Sequence, residues 1–165
     1  MDSEQFGKRS KAKSTENKKF LQQLKRVNWK TVDDFFHRAH EEVFAETDCL
    51  ACANCCKTTS PIFYPVDIDR ASQFLKMKPG DFVSKYLTID SDDDYVLKKS
   101  PCVFLGADNY CSIYEARPKA CREYPHTNRK KMVQIMDLTY KNTLVCPAVL
   151  EMVERMKLNK EFILK

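Results

Sequence analysis

The sequence predicts an α+β fold: a small, mainly helical domain with a short β-hairpin, organised around a cysteine-ligated metal cluster. Three observations carry this expectation. Apolar residues recur at helical spacing, two short alternating runs flank a glycine-containing turn, and eight cysteines, four of them between positions 49 and 56, lie among these elements.

The chain has 165 residues, 43% of them hydrophobic, which suits one domain with a modest core. Residues 1–28 read as a basic, partly disordered leader, and residues 29–165 as a single cysteine-cluster metal-binding domain. Charge separates the two. Residues 1–30 carry nine Lys and Arg against three Asp and Glu, whereas the whole chain is only +5. A segment of this kind can touch nucleic acid or an acidic membrane surface, although a solvated arm and first helix is the commoner outcome. No run approaches the ~20 apolar residues of a membrane span, and no apolar signal core opens the chain. A cytoplasmic location is expected, where thiols stay reduced, so clustered cysteines point to metal or redox chemistry rather than to disulfides.

Trp29, Val32, Phe36, Ala39, Val43 and Phe44 recur at three- and four-residue steps and predict a helix ending near Thr47. Pro61 to Pro65 reads as a short extended stretch. Asp67 is placed to cap a helix carrying Ile68, Ala71, Phe74 and Leu75. Pro79-Gly80 interrupts it before a second short helix through Phe82, Val83 and Tyr86. Ser91 to Asp94 reads as a solvated loop, since its carboxylates lack calcium-loop spacing. Cys102 to Leu105 and Tyr110 to Tyr114 are predicted as hairpin strands around Gly106 to Asn109. Pro118 opens a short helix with Cys121 and Arg122. Cys146 caps the last helix, with Pro147 in its first turn and Val149, Met152, Val153 and Met156 as its stripe.

The strongest chemical signal is Cys49-x2-Cys52-x2-Cys55-Cys56. A two-residue gap lets a tight turn aim both thiolates at one metal while backbone N–H groups hydrogen-bond the sulfurs, a spacing shared by zinc knuckles and iron–sulfur loops. Adjacent Cys55 and Cys56 point in different directions and are not expected to serve one metal in the same way. With Cys102, Cys111, Cys121 and Cys146, all eight are candidate ligands for zinc or iron. The repeated gap favours an iron–sulfur cluster. Two four-thiolate sites, or one such centre with four structural cysteines, both fit the count. Lys57, Arg117, Lys119, Arg122 and Arg129 lie near cysteines in sequence and can balance a thiolate-rich centre; Arg117 and Arg122, flanking Cys121, are the candidate cofactor-binding residues. Of the histidines, only His126 is considered as a ligand.

These motifs, with Pro101-Cys-Val-Phe-Leu105, Cys111-Ser-Ile-Tyr114, Arg117-Pro118 and Cys121-Arg-Glu-Tyr-Pro125, resemble the YkgJ-like zinc- or iron-chelating cysteine-cluster family over residues 46–150. The family usually has glycine after its second cysteine. Here that position is Ala53, and Asn54 is expected to take the left-handed turn. The resemblance implies a metal-chelating protein with a metal ion as its partner. Flagellin lysine methylases carry a similar cysteine pattern, which keeps an iron–sulfur redox or methyl-transfer enzyme open as the alternative. Against it, the chain has three glycines in all and no glycine-rich nucleotide loop, and no catalytic residue stands out.

Overall fold

The computed structural model describes residues 3–160. In order these form α1 (Ser3–Leu24), α2 (Trp29–Ala45), α3 (Cys49–Cys52), α4 (Asn54–Thr58), α5 (Pro65–Phe74), α6 (Pro79–Tyr86), β1 (Leu87–Ile89), β2 (Tyr95–Leu97), α7 (Lys119–Glu123), α8 (Met136–Thr143) and α9 (Pro147–Leu158). Single 3-10 turns sit at Tyr114–Ala116 and Met132–Ile135. Two compact units result, one from Met1–Asp48 with Pro125–Lys165 and one from Cys49–Tyr124. The family-like motifs therefore lie mostly in the second unit.

In the first unit, α1 packs against α8 and α9, and α2 against α9. Helix α1 exists because Phe6, Ser10, Asn17, Phe20, Leu21 and Leu24 share one buried face. Two members of that stripe are polar, which hides it in the sequence. The stretch expected to be a partly disordered leader is thus mostly a helix, with Phe20, Leu21 and Leu24 in an apolar core. Helix α2 starts where expected, with the Asn28 side chain accepting the Lys30 N–H at 2.9 Å. Trp29 lies off its stripe and is 39% exposed. Buried Asp33 replaces it in importance, accepting the N–H groups of Lys131 (2.6 Å) and Met132 (2.8 Å) and so fixing the chain's return before α8. Helix α9 begins after Cys146 with Pro147 in its first turn, and Val149, Met152, Val153 and Met156 are buried, as the periodicity predicts.

The second unit has its own core of Phe63, Ile68, Ala71, Phe82, Leu87, Leu97, Phe104, Ile113 and Ala116. Phe82 is its centre, with ring contacts to Phe63, Tyr86 and Phe104 at 5.2–6.1 Å. Helix α5 begins three residues earlier than the Asp67 cap predicts. Pro65 supplies its first turn, and Asp67, at the third helical position, reaches back to accept the Tyr64 N–H at 3.2 Å. The hairpin also sits elsewhere. Leu87-Thr-Ile89 pairs antiparallel with Tyr95-Val-Leu97 around the Ser91–Asp94 loop, and Ile62 adds a bridge to Val96. Asp90 closes that turn by accepting the N–H groups of Asp92 and Asp94. The predicted hairpin at 102–114 reverses the chain but pairs only at Leu105 and Cys111.

Candidate metal centre

Helices α3 and α4 are one and two turns long, and between them the chain must bend sharply to separate Cys52 from Cys55. Ala53 makes the bend. Its φ of 46° and ψ of 21° lie in the left-handed region, while Asn54 already belongs to α4. Ala53, not Asn54, therefore occupies the conformation for which glycine is best suited, and its side chain is buried. The bend is pinned by Ala53 N–H to Cys49 carbonyl (2.8 Å) and Lys57 N–H to Ala53 carbonyl (3.1 Å). Lys57 also donates its Nζ to the Cys52 carbonyl at 3.1 Å.

The reversal at 102–112 is tied to these helices from both sides. Cys102 N–H donates to the Cys56 carbonyl (2.8 Å), and the Asn109 side chain donates to the Leu50 carbonyl (2.8 Å). Within the reversal, Ser112 N–H donates to the Phe104 carbonyl (2.8 Å) and Gly106 N–H to the Tyr110 carbonyl (2.7 Å). A Cβ at Gly106 would stand 2.6 Å from the Asp108 carboxylate and 3.3 Å from the Tyr110 carbonyl, so a side chain there would have to displace the Asp108 carboxylate. The backbone N–H groups of Phe104 and Leu105 favour the Cys102 thiolate, and that of Ile113 favours the Cys111 thiolate.

Helix α7 brings Cys121 to the same place, and a polar brace absent from the sequence reading holds it. The Asp67 carboxylate is fully buried, pairs with Arg70 and accepts the Lys119 N–H at 3.1 Å. Arg70 in turn donates to the Arg117 carbonyl at 2.7 Å. Both ends of the Arg117-Pro118-Lys119 segment are thereby fastened to α5. The only sequence signal for this was an acid and a base three residues apart on a helix that also begins at a proline.

Electrostatics group the thiols. A hydrogen bond from Cys55 holds the Cys56 thiol down at about 6, with burial opposing and the charges of Arg117 and Lys57 assisting. Burial pushes Cys102 and Cys111 up, opposed by the backbone N–H groups just named, and negative charge at Cys56 adds to the rise in both. Cys121 is pushed up to about 12 by burial and by charge at Cys56, Cys102 and Cys111, with Arg117 countering. These four thiols sense one another, and Arg117 faces three of them with its guanidinium 3.4 Å above the Tyr114 ring. Arg122 is exposed, and none of these thiols registers its charge. Cys49, Cys52, Cys55 and Cys56 share the α3–α4 segment, with Cys49 exposed. Cys146 belongs to the first unit, at the start of α9 against that unit's apolar core.

The donor set fits a thiophilic metal. Soft sulfurs are gathered in one unit, backbone N–H groups favour two of them as thiolates, and the Arg117 cation acts on three. Among the described residues no three Cys, His, Asp or Glu side chains yet close on a single point. No curated protein and no solved structure matches the chain. A family model does match residues 48–146, under the description "CxxCxxCC: Putative zinc- or iron-chelating domain". The match spans more than half of the sequence and begins one residue before Cys49 and ends at Cys146, so the chain belongs to the CxxCxxCC family of zinc- or iron-chelating domains.

Proposed function

We propose that the Cys49–Tyr124 unit is a thiolate metal-binding module whose principal ligands are Cys56, Cys102, Cys111 and Cys121, with Cys49, Cys52 and Cys55 supplying further sulfurs from α3 and α4. The observation that carries this reading is the joint docking of the 102–112 reversal. Its backbone is bonded to Cys56, and its N–H groups favour the thiolates of Cys102 and Cys111, as a metal-bound sulfur requires. A cluster that carries one thiolate near neutral pH and opposes further ionisation is short of positive charge, and a bound cation would supply it, releasing protons as it binds. Seven sulfurs in one unit and the repeated two-residue gap favour an iron–sulfur cluster over a lone zinc ion. Arg117 would balance the anionic centre.

The test is anaerobic purification followed by metal analysis and a visible spectrum. Iron with acid-labile sulfide and a broad visible absorption that bleaches on reduction is the expected result. A colourless protein with stoichiometric zinc would retain the module and replace the cluster. Protein that holds neither metal after reconstitution sinks the reading.

A further inference from the structure

We propose that the solvent face of α1 is a binding surface for the phosphate backbone of duplex nucleic acid. The inference is independent of the metal. Helix α1 buries Phe6, Phe20, Leu21 and Leu24 and leaves Lys8, Lys11, Lys18 and Lys19 exposed, and the turn that follows it exposes Lys25 and Arg26. Lys8 is paired with Glu4 and Lys25 with Asp137. Lys11, Lys19 and Arg26 have no carboxylate partner among the described residues, and Lys18 lies over the Tyr140 ring, where Asp137 senses its charge. At 3.6 residues per turn Lys11, Lys18 and Lys19 fall within an arc of about 100°, and Lys8 to Lys19 spans about 17 Å, with Arg26 in the turn beyond. Charge is segregated onto this face, because the chain is +5 overall while residues 1–30 contribute nine of its basic residues.

The chemistry selects a polyanion with closely and regularly spaced charges. Because α1 is held by its own core, its cations form a row that needs no ordering on binding, and phosphate contact requires nothing but such a row. A lipid surface is disfavoured because an interfacial helix needs a free apolar face. Here that face is consumed by the core, and no large apolar side chain of α1 is exposed.

The experiment measures fluorescence anisotropy of short labelled duplex DNA and duplex RNA with the metal-loaded full chain, across a salt series. Both duplexes should bind at low salt, with affinity falling roughly a hundredfold between about 50 and about 200 mM salt, as about four phosphate contacts require. Replacing Lys11, Lys18, Lys19 and Arg26 together by Gln should weaken binding at least tenfold and flatten the salt dependence. Gln is a good helix former, so the helix should persist, which circular dichroism checks. A second variant with Lys76, Lys78, Lys98 and Lys99 replaced by Gln removes the same charge from the other unit and should bind like the native chain. Equal weakening by this second variant would show that net charge alone acts and would overturn the proposal. So would absence of binding to either duplex, or tighter binding to phosphatidylserine vesicles than to duplex.

Discussion

The two units of this chain are ordered by different physics. In the first, helices of 22, 17 and 12 residues each bury one long face, and fifteen buried apolar residues form one core. In the second, five of the seven cysteines sit on helices of four and five residues, far below the length at which a helix is stable by itself, and Cys102 and Cys111 lie in a chain reversal. What holds those short turns is a set of specific polar contacts: Cys102 to Cys56, Asn109 to Leu50, and the Asp67–Arg70 brace to α7. Apolar burial tolerates approximate placement. A thiol cluster does not, because each sulfur must arrive at one point, and the comparison teaches that the second unit should depend on its ligand as the first does not.

The largest expected contrast comes from setting core truncation against metal removal. Leu21→Ala empties a fully buried position in the first unit and should cost about 2–5 kcal/mol by denaturant unfolding, with metal per folded chain unchanged. Chelation should do the reverse, lowering hydrogen-exchange protection over 49–124 and sparing α1, α2 and α9. If stripping metal leaves exchange over 49–124 as it was, the cysteines are not structural ligands. Deleting residues 1–19, which a disordered leader would tolerate, removes Phe6 and Asn17 from a buried face and should also destabilise the first unit.

A smaller effect is expected at the brace. Asp67→Asn removes the charge that pairs with Arg70 and weakens acceptance from the Lys119 and Tyr64 N–H groups, costing about 2–3 kcal/mol after allowance for the partial exposure of Arg70. Its signature is positional. In metal-loaded protein, alkylation and mass mapping should show Cys121 losing protection before Cys55 or Cys56 does. Uniform loss across all cysteines would mean that Asp67 only stabilises the unit and does not position α7.

The smallest effect is at Ala53. Glycine there would relieve about 1 kcal/mol of left-handed strain and would lose unfolded-state restriction and a buried methyl of similar size, so Ala53→Gly should change stability by less than about 1 kcal/mol and leave metal content intact. A larger loss on thermal or chemical unfolding would show that the methyl, and not the backbone bend, is what this position contributes.

Much of the architecture was legible in residues. Helices α2, α6 and α9 announce themselves through apolar period, prolines and caps, and the cysteine spacing announces the metal chemistry and the family. Helix α1 was not legible as ordered, because Ser10 and Asn17 interrupt its buried stripe. The hairpin was misplaced because both candidate pairs alternate and only long-range packing chooses between them. Leu87 and Leu97 reach the Phe82 core, while the 102–112 segment is held one bridge short of a ladder by its bonds to α3 and α4.

By itself, then, the sequence determined which atoms this protein offers: eight thiols, their gaps, and a surplus of cations near its start, all of which are local properties of composition and spacing. Tertiary structure alone decided that Cys56, Cys102, Cys111 and Cys121 influence one another's charge, that Arg117 acts on three of them, and that Asp67, about fifty residues away in sequence, accepts the Lys119 N–H two residues before Cys121. Those pairings rest on contacts between segments far apart in the chain, and nothing in a local pattern specifies which distant backbone group a buried carboxylate or an amide will find.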